Sequence, residues 1–91
     1  PESSLPVLKE VEKQLSSFDK WDREEAIHEL LLAIPGQMEL KNGQVLWPIR
    51  TALSGKPSTP GGAIELAYIL GKEESIRRIQ LAISRLEQAL A

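Results

Sequence analysis

The residues with chemistry to offer gather between Gly43 and Gly71, in GQVLWPIRTALSGKPSTPGGAIELAYILG. Arg50 is the segment's only arginine, Trp47 lies three residues before it, and Thr59-Pro60-Gly61-Gly62 follows. A guanidinium fork recognises planar hydrogen-bonding edges, and an indole offers a face on which an unstacked base can lie. Thr59 as N-cap with Pro60 at the first helical position is a near-ideal helix opening. The free N–H groups of such a start take anions or base acceptors, and Gly61-Gly62 lets a ligand approach the backbone. A rigid turn, exposed N–H groups and a base-reading guanidinium are what binding of single-stranded RNA needs. Plainer readings stand beside this one. Trp47 and Trp21 can be core or rim aromatics, and paired glycines can simply let helices cross closely.

Other combinations carry less. His28 is the only histidine and neighbours Glu24, Glu25 and Glu29, but no second His or any Cys completes a metal site. It reads as a surface or helix-packing residue. Ser54-Gly55-Lys56 is like the tail of a phosphate-binding loop, yet Arg50 stands where the upstream glycine is required and Pro57 where Ser or Thr should hold magnesium. That loop is excluded. Arg77, Arg78 and Arg85 could track phosphates or simply form a solvated face.

The elements that position these residues are helical throughout. Leu8, Val11, Leu15 and Phe18 mark one face of a first helix, from about Ser4 to Ser17. Asp22 and Glu25 resemble a capping box, behind which Ile27, Leu30, Leu31, Ile34 and Met38 form a second apolar face. Pro35 is expected to kink or end that helix near Ile34. A turn at Lys41-Asn42-Gly43 leads to a third helix, Gln44 to Leu53, with Pro48 expected in its first turn. The fourth helix opens at Thr59-Pro60 and stops at Gly71. Ile76, Ile79, Ile83, Leu86 and Leu90 line a last one. The fold class is all-α, a compact bundle of about five helices.

Composition bounds the rest. The 91 residues form one expected domain, 42% hydrophobic and 26% charged, too apolar to be disordered. With no cysteine there are no disulfides and no thiolate chemistry. No run reaches the roughly 18 apolar residues of a membrane span. The first residue is Pro1, so a piece of a longer protein is expected. The net charge of -2 hides an asymmetry. Residues 1–46 carry five basic and nine acidic side chains, residues 47–91 six basic and four acidic. A mild positive bias therefore coincides with the candidate site. It is too small for RNA binding by charge alone, so most affinity is expected from elsewhere in a larger protein.

One longer pattern runs through these elements. Lys41-x-Gly43, then Trp47-Pro48-Ile49-Arg50-x-Ala52-Leu53-Ser54-Gly55, then Thr59-Pro60-Gly61, resembles the C-terminal anticodon-binding domain of bacterial glutamyl-tRNA synthetases. The likeness continues through Leu70-Gly71-Lys72-Glu73-Glu74 and Ile76-Arg77-Arg78-Ile79, and the first forty residues agree as helical pattern. The resemblance implies a domain of residues 1–91 that holds a splayed tRNA-Glu anticodon. Arg50, Thr59 and Pro60 would lie against the leading bases, with Gly61, Gly62 and Trp47 completing the surface. Gly62 departs from the family, where many members carry a bulkier apolar side chain. The parent enzyme would use ATP and magnesium in the cytoplasm, while this domain holds no cofactor and no catalytic signature. Its partners would be tRNA and the neighbouring domains of the same synthetase, not DNA or membrane. The alternative is a helical protein-interaction module without an RNA role.

Overall fold

Apolar periodicity becomes packing in four helices. The computed structural model describes residues 4–55 and 62–90, comprising α1 (Ser4–Ser16), α2 (Glu24–Met38), α3 (Asn42–Ser54) and α4 (Ala63–Leu90). No strand occurs among the described residues. The core takes Val7, Leu8, Val11 and Leu15 from α1 and Ile27, Leu31 and Ile34 from α2. From α3 come Val45, Ile49 and Leu53, and from α4 Ala63, Ala67, Ile79 and Ile83. The four-residue steps of Val45, Ile49 and Leu53 put one stripe of α3 on the core, with Pro48 buried beside it, and leave Trp47 exposed and Arg50 half-buried. Burial of each such Val, Leu or Ile contributes roughly 1.5–3 kcal/mol.

Four elements stand where about five helices were expected, because the last two follow one another with no loop between them, while the expected stop at Gly71 is present as a break inside α4. Gly71 interrupts α4 with φ 84 and ψ 174, a backbone conformation outside the helix, yet helix continues on both sides. The positive φ requires glycine. The hydroxyl of Ser75, fully buried, donates to the Ala67 carbonyl at 3.3 Å across this break. A buried hydroxyl needs a partner, and here it takes one from the preceding segment. At the far end Leu90, expected on the apolar face, is 72% exposed.

Local expectations shift in three other places. The box at Asp22 and Glu25 does not form: α2 starts at Glu24, its N-cap is Arg23, and no side chain caps it. Asp22 lies one residue too early to reach the free N–H groups. Pro35 does not stop α2 near Ile34, since the helix runs on to Met38. Pro48 is not in the first turn of α3, because that helix opens two residues early, at Asn42. Gln44 draws the start forward: its Oε1 accepts from the Lys41 N–H at 2.9 Å, half of a reciprocal capping pair. Pro48 is buried in the helix interior instead.

Trp21 has a structural task. Its ring meets Phe18 edge-on at 5.9 Å between centroids, and its Nε1–H donates to the Phe18 carbonyl at 2.9 Å. Such aromatic pairs contribute about 0.5–1.5 kcal/mol beyond their buried area. They close the α1–α2 connection. His28 is exposed on α2.

Candidate nucleic-acid interface

The core stripe of α3 turns Trp47 and Arg50 outward. Three residues at 100° each place them about 60° apart around the helix axis. Trp47 is 39% exposed. Arg50 is half-buried, and its Nε is enclosed without a hydrogen-bond partner. A buried donor left unpaired costs about 1–3 kcal/mol. Trp47 and Arg50 share a helix but face different flanks: Trp47 borders a groove that Arg50 does not line.

The exit of α3 is held from outside. Gly55 takes φ 72 and ψ 11, and its N–H donates to the Thr51 carbonyl at 2.8 Å. The Leu53 carbonyl, one of the last-turn acceptors without a helical donor, receives Nη1 of Arg78 from α4 at 2.5 Å. Arg78 also donates from Nε to Glu74 at 2.7 Å, and Arg77 grips the same carboxylate at 2.9 and 2.7 Å. Hydrogen bonds from Arg77 first, then Arg78, hold the Glu74 carboxyl down at about 2. Two of the three candidate phosphate-tracking arginines are thus engaged within the protein. Arg85 is exposed and has no ion pair among the described residues.

Thr59, Pro60 and Gly61 lie outside the described residues, so the expected helix opening there is not described. The described helix begins at Ala63, behind an exposed Gly62 whose carbonyl accepts the Leu66 N–H at 3.0 Å. Among the described residues a Cβ built on Gly62 would meet nothing within 4 Å, so a close crossing of the described helices does not explain that glycine. Glu65 occupies the first turn of α4. Its charge complements the helix dipole.

Sequence reasoning missed the groove beside Trp47. It is an open cleft of about 580 Å³ between α1, α3 and the second half of α4. Its floor includes Leu8, Pro48, Leu81 and Leu86, and its rim carries Arg77 and Arg85. Leu81, 43% exposed, lies off the Ile79–Ile83 stripe and was the available signal.

The described helices thus form an all-α scaffold with an exposed indole on α3 and an exposed glycine ahead of α4. The chain belongs to the anticodon binding domain family, whose pattern it matches over residues 1–83. It is similar to glutamate–tRNA ligases of three clostridia. Identity is 47% over 89 residues with that of Clostridium tetani, covering 98% of this chain and 18% of the ligase. It is 44% over 90 residues with that of Clostridium novyi (99% and 18%), and 50% over 86 with one from Clostridium botulinum (94% and 18%). The chain therefore spans about a fifth of the length of these relatives. Family membership supports the RNA-facing reading over a helical interaction module with no RNA role.

Proposed function

We propose that this chain binds the anticodon loop of tRNA-Glu as the C-terminal domain of a glutamate–tRNA ligase. The observation that carries the reading is the anticodon binding domain pattern over residues 1–83 together with 44–50% identity to glutamate–tRNA ligases over 94–99% of the chain. The whole of residues 1–91 acts as that one domain. Arg50 offers its guanidinium to a base edge, Trp47 supplies a stacking face, and Thr59, Pro60, Gly61 and Gly62 meet neighbouring unstacked bases. At Gly62 the base approaches backbone rather than an apolar side chain.

ATP-dependent attachment of glutamate, with magnesium, belongs to other parts of the parent enzyme, which works in the cytoplasm. This domain contributes by fixing which tRNA is presented. A guanidinium reading a base is worth roughly 1–3 kcal/mol, by analogy with base readout in DNA. Arg50→Ala with Thr59→Ala in the full ligase is therefore expected to weaken tRNA-Glu binding by at least about tenfold while unfolding is unchanged. Equal binding by parent and double variant at moderate salt would overturn the site assignment.

A further inference from the structure

Helix α4 consists of two halves that meet at Gly71, and the halves are held very differently. The half after the break anchors itself in the core with Ile79 and Ile83 and ties to the α3 exit through Arg78. The half before it, residues 63–70, buries only Ala63 and Ala67. Ile64, Leu66 and Leu70 pack at the margin of the core, while Ile69 is 76% exposed. Packing contacts grow in number with side-chain size, so two buried methyl groups hold the direction of a helix weakly. Gly71 does not fix that direction either, because glycine has the widest choice of backbone conformation. One side-chain bond crosses the break. Ser75 is fully buried, and its hydroxyl donates to the Ala67 carbonyl in the last turn before Gly71. An alanine would serve packing alone at that position. The hydroxyl adds a bond that is satisfied only over a narrow range of distance and angle.

We propose that Ser75 is a positioning residue for tRNA binding: by holding the Ala67 carbonyl it sets the direction of the first half of α4, and with it the place of the glycine at that half's opening. This rests on the reading that Gly62 and the residues before it meet tRNA. Gly62 moves with the half-helix, since its carbonyl accepts the Leu66 N–H at 3.0 Å. At a rise of about 1.5 Å per residue it stands roughly 13 Å from Gly71. A tilt of about 10° at the break would shift it by about 2 Å, whereas a binding constellation has to be held within about 0.5 Å.

The test compares the full-length ligase with its Ser75→Ala variant, which removes the hydroxyl and little else. Hydrogen-exchange mass spectrometry without tRNA is expected to show several-fold faster exchange over residues 63–70 and unchanged exchange over residues 76–86. In glutamate charging, KM for tRNA-Glu should rise about fivefold with kcat within about twofold, the pattern of lost binding rather than lost chemistry. Ile83→Val is the control. It thins the core beyond the break but leaves the bond from Ser75 to Ala67, so that KM should stay as it is. Unchanged exchange over residues 63–70, an unchanged KM for Ser75→Ala, or an equal rise in KM for Ile83→Val would each overturn the proposal. The variant carrying Arg50→Ala and Thr59→Ala separates this failure from failure of the site. If only that double variant raises KM, the site stands and Ser75 does not position it; if neither does, the site reading falls as well.

Discussion

The ends of α2 and α3 solve one problem in opposite ways. Each helix carries an internal proline and turns out of helix through a left-handed residue. At the end of α2 that residue is Glu39, with φ 58 and ψ 42. Its N–H donates to the Gly36 carbonyl at 3.3 Å and the Leu40 N–H to the Pro35 carbonyl at 2.9 Å, a complete backbone closure. At the end of α3 the residue is Gly55, free of the Cβ penalty, and a carbonyl of the last turn is met by Arg78 from another helix. The first end is strained and self-contained. The second is relaxed and held by a partner. The difference follows the work each end does: the α2 exit leads to the short turn before α3, whereas the α3 exit leads from Trp47 and Arg50 to Thr59-Pro60. The tie from Arg78 fixes the α3 exit against α4.

Removing the tie should break the comparison most strongly. Arg78→Ala leaves the Leu53 carbonyl without its charged donor and Glu74 with one arginine. Hydrogen bonds from charged groups contribute about 1.5–3 kcal/mol, and partial exposure places this one near the lower end. A loss of about 1.5–2 kcal/mol in urea unfolding is expected, with weaker tRNA-Glu binding by the full ligase. Arg78→Lys should recover only part, since an ammonium cannot bond Leu53 and Glu74 in the fixed fork geometry. Equal stability of the wild type and Arg78→Ala would show that the tie contributes nothing. Next comes Gly55→Ala. An L side chain at φ 72 costs roughly 1–2 kcal/mol, although no atom of the described residues lies within 4 Å to clash with it. The penalty is thus purely conformational, and Gly55→Asn should be milder because Asn tolerates that region.

How far these features were legible depends on whether their cause is local. The all-α class and the core positions Leu8, Val11, Leu15, Ile27, Ile79 and Ile83 follow from period alone, and the structure buries them. Gly55 and Gly71 were legible as helix punctuation, but not that helix resumes directly after Gly71, which depends on Ser75 reaching Ala67. The prolines misled for a related reason. A lost N–H and a ring clash make local propensity vote against helix, yet Pro35 and Pro48 are both buried, and tertiary packing retains them inside α2 and α3. Arg50 and Trp47 were recognisable as candidates by type and motif. Their separation onto two flanks, with a groove beside only one, needed the neighbouring helices. Arg78 was left between a phosphate contact and a solvated face, because its Leu53 partner lies 25 residues away.

The strained end offers a gain where the relaxed end offers only losses. Glu39→Gly removes the left-handed penalty of an L residue but adds unfolded-state freedom, so a net stabilisation of about 0.5–1 kcal/mol is expected in urea unfolding. If Glu39→Gly destabilises, the closure of α2 depends on the Glu39 side chain rather than on the two backbone bonds. tRNA binding should be unaffected, because this end leads away from the proposed site.

The smallest effect separates the two ends by pH. Among the described residues no titrating side chain closes the α2 end, whereas the α3 end relies on Glu74 to hold Arg78 in place. Arginine hydrogen bonds lower the Glu74 carboxyl from 4.5 to about 2 in the folded protein. A depressed carboxyl contributes its stabilisation fully above the unfolded value and loses it as pH falls through the folded one. The Arg77–Glu74–Arg78 clamp should therefore hold from neutral pH to below 4 and release only toward pH 2. Carbon NMR of the Glu74 carboxyl is expected to give a midpoint near 2, and the Leu53 carbonyl shift should move with it. Glu74→Gln should remove that coupled step while leaving Leu40 and Pro35 resonances unchanged. A midpoint in the ordinary carboxylate range would mean that Arg78 reaches Leu53 without help from Glu74, and the α3 exit would then rest on one side chain rather than on a clamp.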